Sequence, residues 1–270
     1  MFTKRLFPAF LILSLLTLFL GCSKENNVTG PGTETDSYVY VHLAGDSTKI
    51  ELDDLPSFDV TSLAKAWNEN DAVWLKDFIS ATLIPEVEDK DGTLFNARPL
   101  YAYRFVGEDG FYAASKGYPD NTWDQLDEGY MYTDTRNIVF PDDLLDLAGA
   151  YNVKKVRHIY ANRKIDITSP DSSGFALVND FQPQMVDNGD GVLEAAVPLM
   201  DIVETIVASP ANYNYRLEAV DGYQPPDNLN WTQFRTGYWL LESAKTIFTD
   251  PNFATGKYKV KYLRTILVNQ

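Results

Sequence analysis

The sequence predicts an α+β fold rich in strand, built as two tandem repeats of a helix-plus-sheet unit in a pseudo-twofold arrangement. Three observations carry that expectation. Sixteen Tyr and fifteen Phe fall in many short segments of β-branched and aromatic residues, a composition suited to half-buried pleated surfaces. Two stretches instead repeat apolar residues at helical spacing: Leu75, Phe78, Ile79 and Leu83, then Leu199, Ile202, Val203 and Ile206. The chain also aligns with itself in five blocks, in one order and at nearly constant offset, the signature of a tandem duplication.

Taken in order, the blocks define the elements. Ala72–Ile79 aligns with Ala196–Val203 and opens each copy with a short helix, ended by Pro85 and Pro210. Tyr101-Ala102-Tyr103-Arg104-Phe105 aligns with Tyr213-Asn214-Tyr215-Arg216-Leu217, an alternation that reads as a strand. Five residues after each arginine comes Asp-Gly-aromatic, at Asp109-Gly110-Phe111 and Asp221-Gly222-Tyr223, which reads as a turn. Trp123–Tyr130 aligns with Trp231–Tyr238, a helical turn or loop leading to a strand. Tyr151–Ile159 aligns with Tyr258–Ile266 and alternates as a closing strand. Only the first copy has a further helical run, Pro141–Ala148, with Pro and acids placed for a helix N-terminus. Residues 168–175 read as a linker, giving repeat 1 at 38–168 and repeat 2 at 169–270.

The first 37 residues have another character. Lys4 and Arg5 precede a run from Leu6 to Leu20 that is almost wholly apolar, closed by Gly21-Cys22. The run is shorter than the roughly 20 residues that span a bilayer and has the layout of a secretory signal. A small residue before a cysteine at that place resembles the lipobox of bacterial lipoproteins. Phe19 stands where that pattern usually has leucine, between Leu18 and Leu20. The resemblance implies a signal peptide over 1–21, cleavage before Cys22 and a lipid on that thiol. Residues 22–37 are polar, with Gly, Pro, Thr and Asn, and read as a flexible tether. Ser23 does not look like an inner-membrane retention signal, which points to the outer membrane.

Charge and cysteine content narrow the chemistry. The formal net charge is −15, or −17 once Lys4 and Arg5 leave with the signal, which disfavours nucleic acid and anionic lipid as partners. Cys22 is the only cysteine, so neither an intramolecular disulfide nor a cysteine metal site can form.

The order of helix, strand, Asp-Gly-aromatic turn, Gly-Tyr strand and Lys-x-φ-Arg-x-Ile closing strand is similar to the molybdopterin-binding domain of the sulfite-oxidase family. That resemblance implies a molybdenum held by a cysteine thiolate and a pterin phosphate gripped by basic and His residues. This chain has no cysteine after Cys22, and its only histidines are His42 and His158. No cofactor and no metal are therefore expected.

Few residues read as a site. His42 and His158 lie in alternating segments, without the Gly-rich context of a hydrolase, and read as structural. Residues 88–92 and 187–191 are oxygen-rich but lack the calcium-loop spacing, so they read as hairpin tips. Asp109 and Asp221 read as turn formers rather than paired catalytic acids. Trp123, Tyr130, Trp231 and Tyr238 recur in both copies, as core or as a platform for stacking a sugar, and Trp239 opposite Met131 is a further candidate for a ligand surface. The expected function is a non-catalytic exported lipoprotein that binds a protein or glycan partner. The alternatives are a carbohydrate-binding module, a degenerate molybdopterin-type redox protein or a hydrolase.

Overall fold

A computed structural model describes residues 37–60, 71–80, 83–89, 91–140 and 149–270. Cys22, the signal segment, the tether through residue 36 and the expected helix at 141–148 lie outside them.

In chain order the strands begin β1 (Tyr38–Leu43), β2 (Asp46–Glu51), β3 (Ser57–Asp59), β4 (Asp71–Trp74), β5 (Val87–Glu88) and β6 (Leu94–Phe95). They continue β7 (Tyr101–Gly107), β8 (Asn121–Thr122), β9 (Tyr130–Tyr132), β10 (Ile138–Val139), β11 (Val156–Thr168), β12 (Ser173–Leu177) and β13 (Gln184–Asp187). The last are β14 (Leu193–Pro198), β15 (Asn214–Ala219), β16 (Leu229–Asn230), β17 (Gly237–Leu240), β18 (Thr246–Phe248) and β19 (Leu263–Asn269). The α-helices among the described residues are α1 (Trp123–Leu126), α2 (Leu199–Glu204) and α3 (Trp231–Phe234).

This overturns the expected α+β class. Among the described residues the fold is mainly sheet, with 42% of them in strands and only three short α-helices, and no helix-plus-sheet unit is evident as a repeat. The aligned opening segments show why. Residues Leu75–Phe78 make one 3-10 turn and Leu199–Glu204 fewer than two α-helical turns. Apolar spacing alone cannot tell such a turn from a longer helix. Pro210 begins a 3-10 turn, Pro210–Asn212, instead of ending a helix. The segment expected to be a linker is a tight hairpin between β11 and β12, in which the Ser169 amide donates to the Ser172 carbonyl.

Strand β11 organises the molecule. Its first part pairs parallel with β1 and antiparallel with β7, and its last part antiparallel with β12 and parallel with β19. The nine-stranded sheet thus runs β16-β15-β19-β11-β1-β2, with β7, β8 and β12 attached alongside. Since β19 runs parallel to β11, the two aligned closing strands point the same way. A twofold axis crossing the strands would reverse one of them, so the pseudo-twofold expectation is corrected too.

Two four-stranded sheets, β10-β9-β4-β3 and β13-β14-β17-β18, pack against this large one. The first core lies between Val39, Tyr103, Phe105 and Ile159 of the large sheet and Val73, Met131 and Ile138 of the small one. The second joins Ile165, Tyr215, Leu217 and Ile266 to Val197, Trp239 and Phe248. Each such side chain, once buried, contributes about 1.5–3 kcal/mol, which makes these inter-sheet layers the main source of stability.

Matching contacts recur at aligned positions. Gln125 and Gln233 reach back to the Thr122 and Asn230 amides, both at 2.9 Å, so one-turn helices that could not stand alone are capped. The Tyr103 and Tyr215 hydroxyls donate to the Arg98 and Pro210 carbonyls at 2.8 and 2.5 Å. Asp109 and Asp221 accept from the Phe111 and Tyr223 amides, and Gly110 and Gly222 take φ of 79° and 81°. Those carboxylates serve their own turns, as the sequence predicts.

Candidate functional site

Alternation on β1 turns Val39 and Val41 into the core and Tyr38, Tyr40 and His42 to the opposite face. The register of β1 on β11 sets Tyr40 beside His158 and His42 beside Tyr160. The rings form a continuous cluster: Tyr40 stacks on His158 at 5.7 Å and His42 on Tyr160 at 4.4 Å, with Tyr38 edge-on to Tyr40. The Arg157 guanidinium lies 3.8 Å from the Tyr38 ring centre and the Lys49 ammonium 3.9 Å. Tyr160 is 36% exposed, the other rings are half-buried and Lys49 is paired with Glu51, so the face is aromatic and open, with Arg157 beside it.

Within it, His42 Nε2 and His158 Nδ1 are 2.9 Å apart. One ring must therefore donate while the other stays unprotonated. Burial, and then the nearby His158, hold the His42 pKa below its ordinary 6.5. Between that lowered value and 6.5 the folded protein binds fewer protons than the unfolded chain, so stability is complete above 6.5 and declines as pH falls through it. Melting followed at about pH 7.5 and about pH 5.5 should show a larger loss for the native chain than for His42→Gln. Equal losses in the two proteins would remove this role for the pair.

Further along the same face, Arg104 Nε sits 2.9 Å from Asp120 Oδ1, and the Asp120 side chain is only 2% exposed. That hydrogen bond raises the Arg104 pKa. Asn162 Nδ2 completes the carboxylate at 3.4 Å. On the core side of β11, Arg163 lies 5.3 Å from the Trp239 ring and donates to the carbonyls of Leu100, Lys164 and Leu263. Burial lowers its pKa to about 10, which leaves it charged at neutral pH. Its donors are spent on backbone, so it clamps the two halves of β11 to their neighbours and has little left for a ligand.

The sequence candidates are not brought together. Trp123 packs against Tyr103 with Arg98 over it, and Trp231 packs against Tyr215 and Phe234. Tyr130 is fully buried in a small cluster with Phe58, Trp74 and Tyr132. Tyr238 packs beside Leu240 and Ile247, and Trp239 is 2% exposed in the second core. Trp239 therefore offers no ring face to solvent; Met131, its aligned residue, is fully buried as well. The His42–His158 pair was missed because the residues are 116 apart, and no local pattern announces parallel pairing over that distance.

In the oxygen-rich loops the aspartates bond their own backbone. Asp89 Oδ1 accepts from the Asp91 and Thr93 amides, and Asp187 Oδ1 from those of Gly189 and Gly191. Among the described residues no three His, Cys, Asp or Glu converge as metal ligands.

A concavity lies where Val220 and Tyr262 of the second half pack against the first core. It measures about 390 Å³ and is lined by those two residues, Tyr223, Lys257, Lys259 and Lys261, together with Asp89 and Asp221. Compared with known protein families, with characterised proteins and with solved structures, the chain matches none.

Proposed function

We propose that this chain is a non-catalytic binding module, exported and held at a bacterial outer membrane by a lipid on Cys22. It engages a protein or glycan partner through the aromatic face of β1 and β11. The observation that carries the reading is that face: Tyr40, His42, His158 and Tyr160 stack side by side on an open sheet, flanked by Arg157 and Lys49. Aromatic rings with a polar handle supply large contact area at low entropic cost, and arginine beside them adds directional hydrogen bonds. Binding by such a surface needs no cofactor, in keeping with a chain whose only thiol is Cys22.

Two measurements test it. Cys22→Ser should abolish incorporation of labelled palmitate and move the protein from the membrane fraction to the soluble one; incorporation that persists would refute the anchor. Tyr40→Ala and Tyr160→Ala should each weaken binding to a polysaccharide panel or an outer-membrane extract by roughly tenfold while the circular dichroism stays native. Unchanged binding in both variants would rule out this face.

A further inference from the structure

We propose that the cleft at Lys257, Lys259 and Lys261 is a binding site for an anionic sugar ring, carboxylated or sulfated. The inference is independent of the aromatic face and of the lipid anchor. Its basis is a difference between two aligned notches. In the first half, the notch beside the Asp-Gly turn is lined by Glu108, Arg136, Lys154 and Lys155. There Arg136 pairs with Glu108, so the charges cancel inside the protein.

The second half keeps the backbone of that notch. The Val220 amide donates to the Tyr262 carbonyl at 3.1 Å, as the Glu108 amide does to Lys155 at 3.0 Å. Ala244 and Tyr262 take φ of 48° and 48°, as Arg136 and Lys155 take 55° and 49°. Such a strained conformation costs about 1–2 kcal/mol per residue and persists only where the surroundings impose it, so its recurrence marks a shared framework. The side chains have changed completely. In the cleft Val220 replaces Glu108 and Tyr262 replaces Lys155, while Ala244, at the place aligned with Arg136, lies outside the lining. The internal ion pair is gone, and what remains is an apolar floor with tyrosines and a rim of lysines.

The rim is electrostatically available. Lys257, Lys259 and Lys261 make no ion pair among the described residues. Asp221 and Asp89 also line the cleft and accept from the Tyr223 amide and from the Asp91 and Thr93 amides, so the three ammonium groups outnumber the carboxylates by one. The Tyr223 ring is fixed in place, since its hydroxyl donates to the Lys257 carbonyl at 2.8 Å. A chain of net charge −15 thus gathers three ammonium groups, against two carboxylates, around a cavity of about 390 Å³, within the size range of small-molecule sites. Tyrosine faces accept the C–H face of a sugar, and lysines bind an anion as point charges without demanding one geometry.

The full chain in detergent, titrated calorimetrically with digalacturonate, with a sulfated disaccharide and with a neutral disaccharide, tests this. Binding of either anionic disaccharide, at least about tenfold tighter than of the neutral one and weakened about tenfold at high salt, is expected. Lys259→Gln combined with Lys261→Gln should lower affinity by about tenfold or more. Val220→Glu, which adds a carboxylate among the lysines, should abolish binding, with circular dichroism checking that the variant stays folded. No binding of any sugar, equal binding of the neutral sugar, full displacement by an acidic peptide, or binding unmoved by the two lysine substitutions would each overturn the proposal.

Discussion

Asp120→Ala should lower the stability of the folded chain by roughly 2–3 kcal/mol, read as a shift in the denaturant midpoint at unchanged slope. The aspartate side chain is 2% exposed and bonds Arg104 Nε at 2.9 Å. Removing it strands a guanidinium that the sheet has already desolvated, and breaking one half of a buried pair costs about 3–5 kcal/mol when neither partner can reach water. Arg104 is 29% exposed and can recover part of its hydration, which sets the effect at or below the lower end of that range. Asp120→Asn is the informative companion, because Asn228 occupies the aligned place in the second half. There Arg216 has instead Gln224 Oε1 and the Pro226 carbonyl, both at 3.3 Å. Asparagine keeps an acceptor and should cost clearly less than alanine. A loss below about 0.5 kcal/mol for Asp120→Ala would mean that the pair contributes nothing beyond an exposed salt bridge.

The second large effect is steric. A Cβ on Gly129 would lie 2.4 Å from Phe140 Cε1 and 2.6 Å from Leu75 Cδ1. On Gly237 it would lie 2.6 Å from Phe248 Cε1 and 2.8 Å from Leu199 Cδ1. Both glycines let a small-sheet strand press against an aromatic ring in a closed core, where an added methyl costs about 1–3 kcal/mol. Gly129→Ala should fall near the top of that range and Gly237→Ala somewhat below it, since its contacts are longer. Thermal melts of the two variants check the order. Trimming the obstructing ring, as Gly129→Ala with Phe140→Leu, should recover part of the loss. An alanine at 129 that melts with the native protein would show that the ring and Leu75 can move aside at no cost.

How far the sequence could be read depends on the range of the interactions involved. The Tyr-x-Tyr-Arg strands, the Asp-Gly turns and the one-turn segments at Trp123 and Trp231 were legible because each is set by residues within a few positions. Helix length was not. The spacing of Leu75, Phe78 and Ile79 serves a 3-10 turn as well as a longer helix, and only packing between two sheets decides. The length of β11 was hidden for the same reason. Its run from Val156 to Thr168 is fixed by four partner strands that lie as far away as β1 and β19. The candidate faces divide similarly. Trp239 could have been set aside by comparison with Met131, whereas the His42–His158 contact depends on a parallel register that no local pattern encodes. The lysines of the cleft are plain in the sequence, but the replacement of Glu108 by Val220 acquires meaning only once Val220 is seen to line the same cleft as Lys261 and Tyr262.

A strand shared by two sandwiches leaves no seam along which to divide them. A chain cut after Thr168 would give a second piece in which β12 and β19 have both lost the strand between them, exposing two rows of unpaired amides and carbonyls. Free edges of that kind recruit other chains, so the piece would be prone to self-association. Sharing β11 also ties the fates of the two halves: each closes only when β11 is in place, and that requires partners drawn from nearly the whole length of the described chain. Folding should accordingly be slow and dominated by distant contacts.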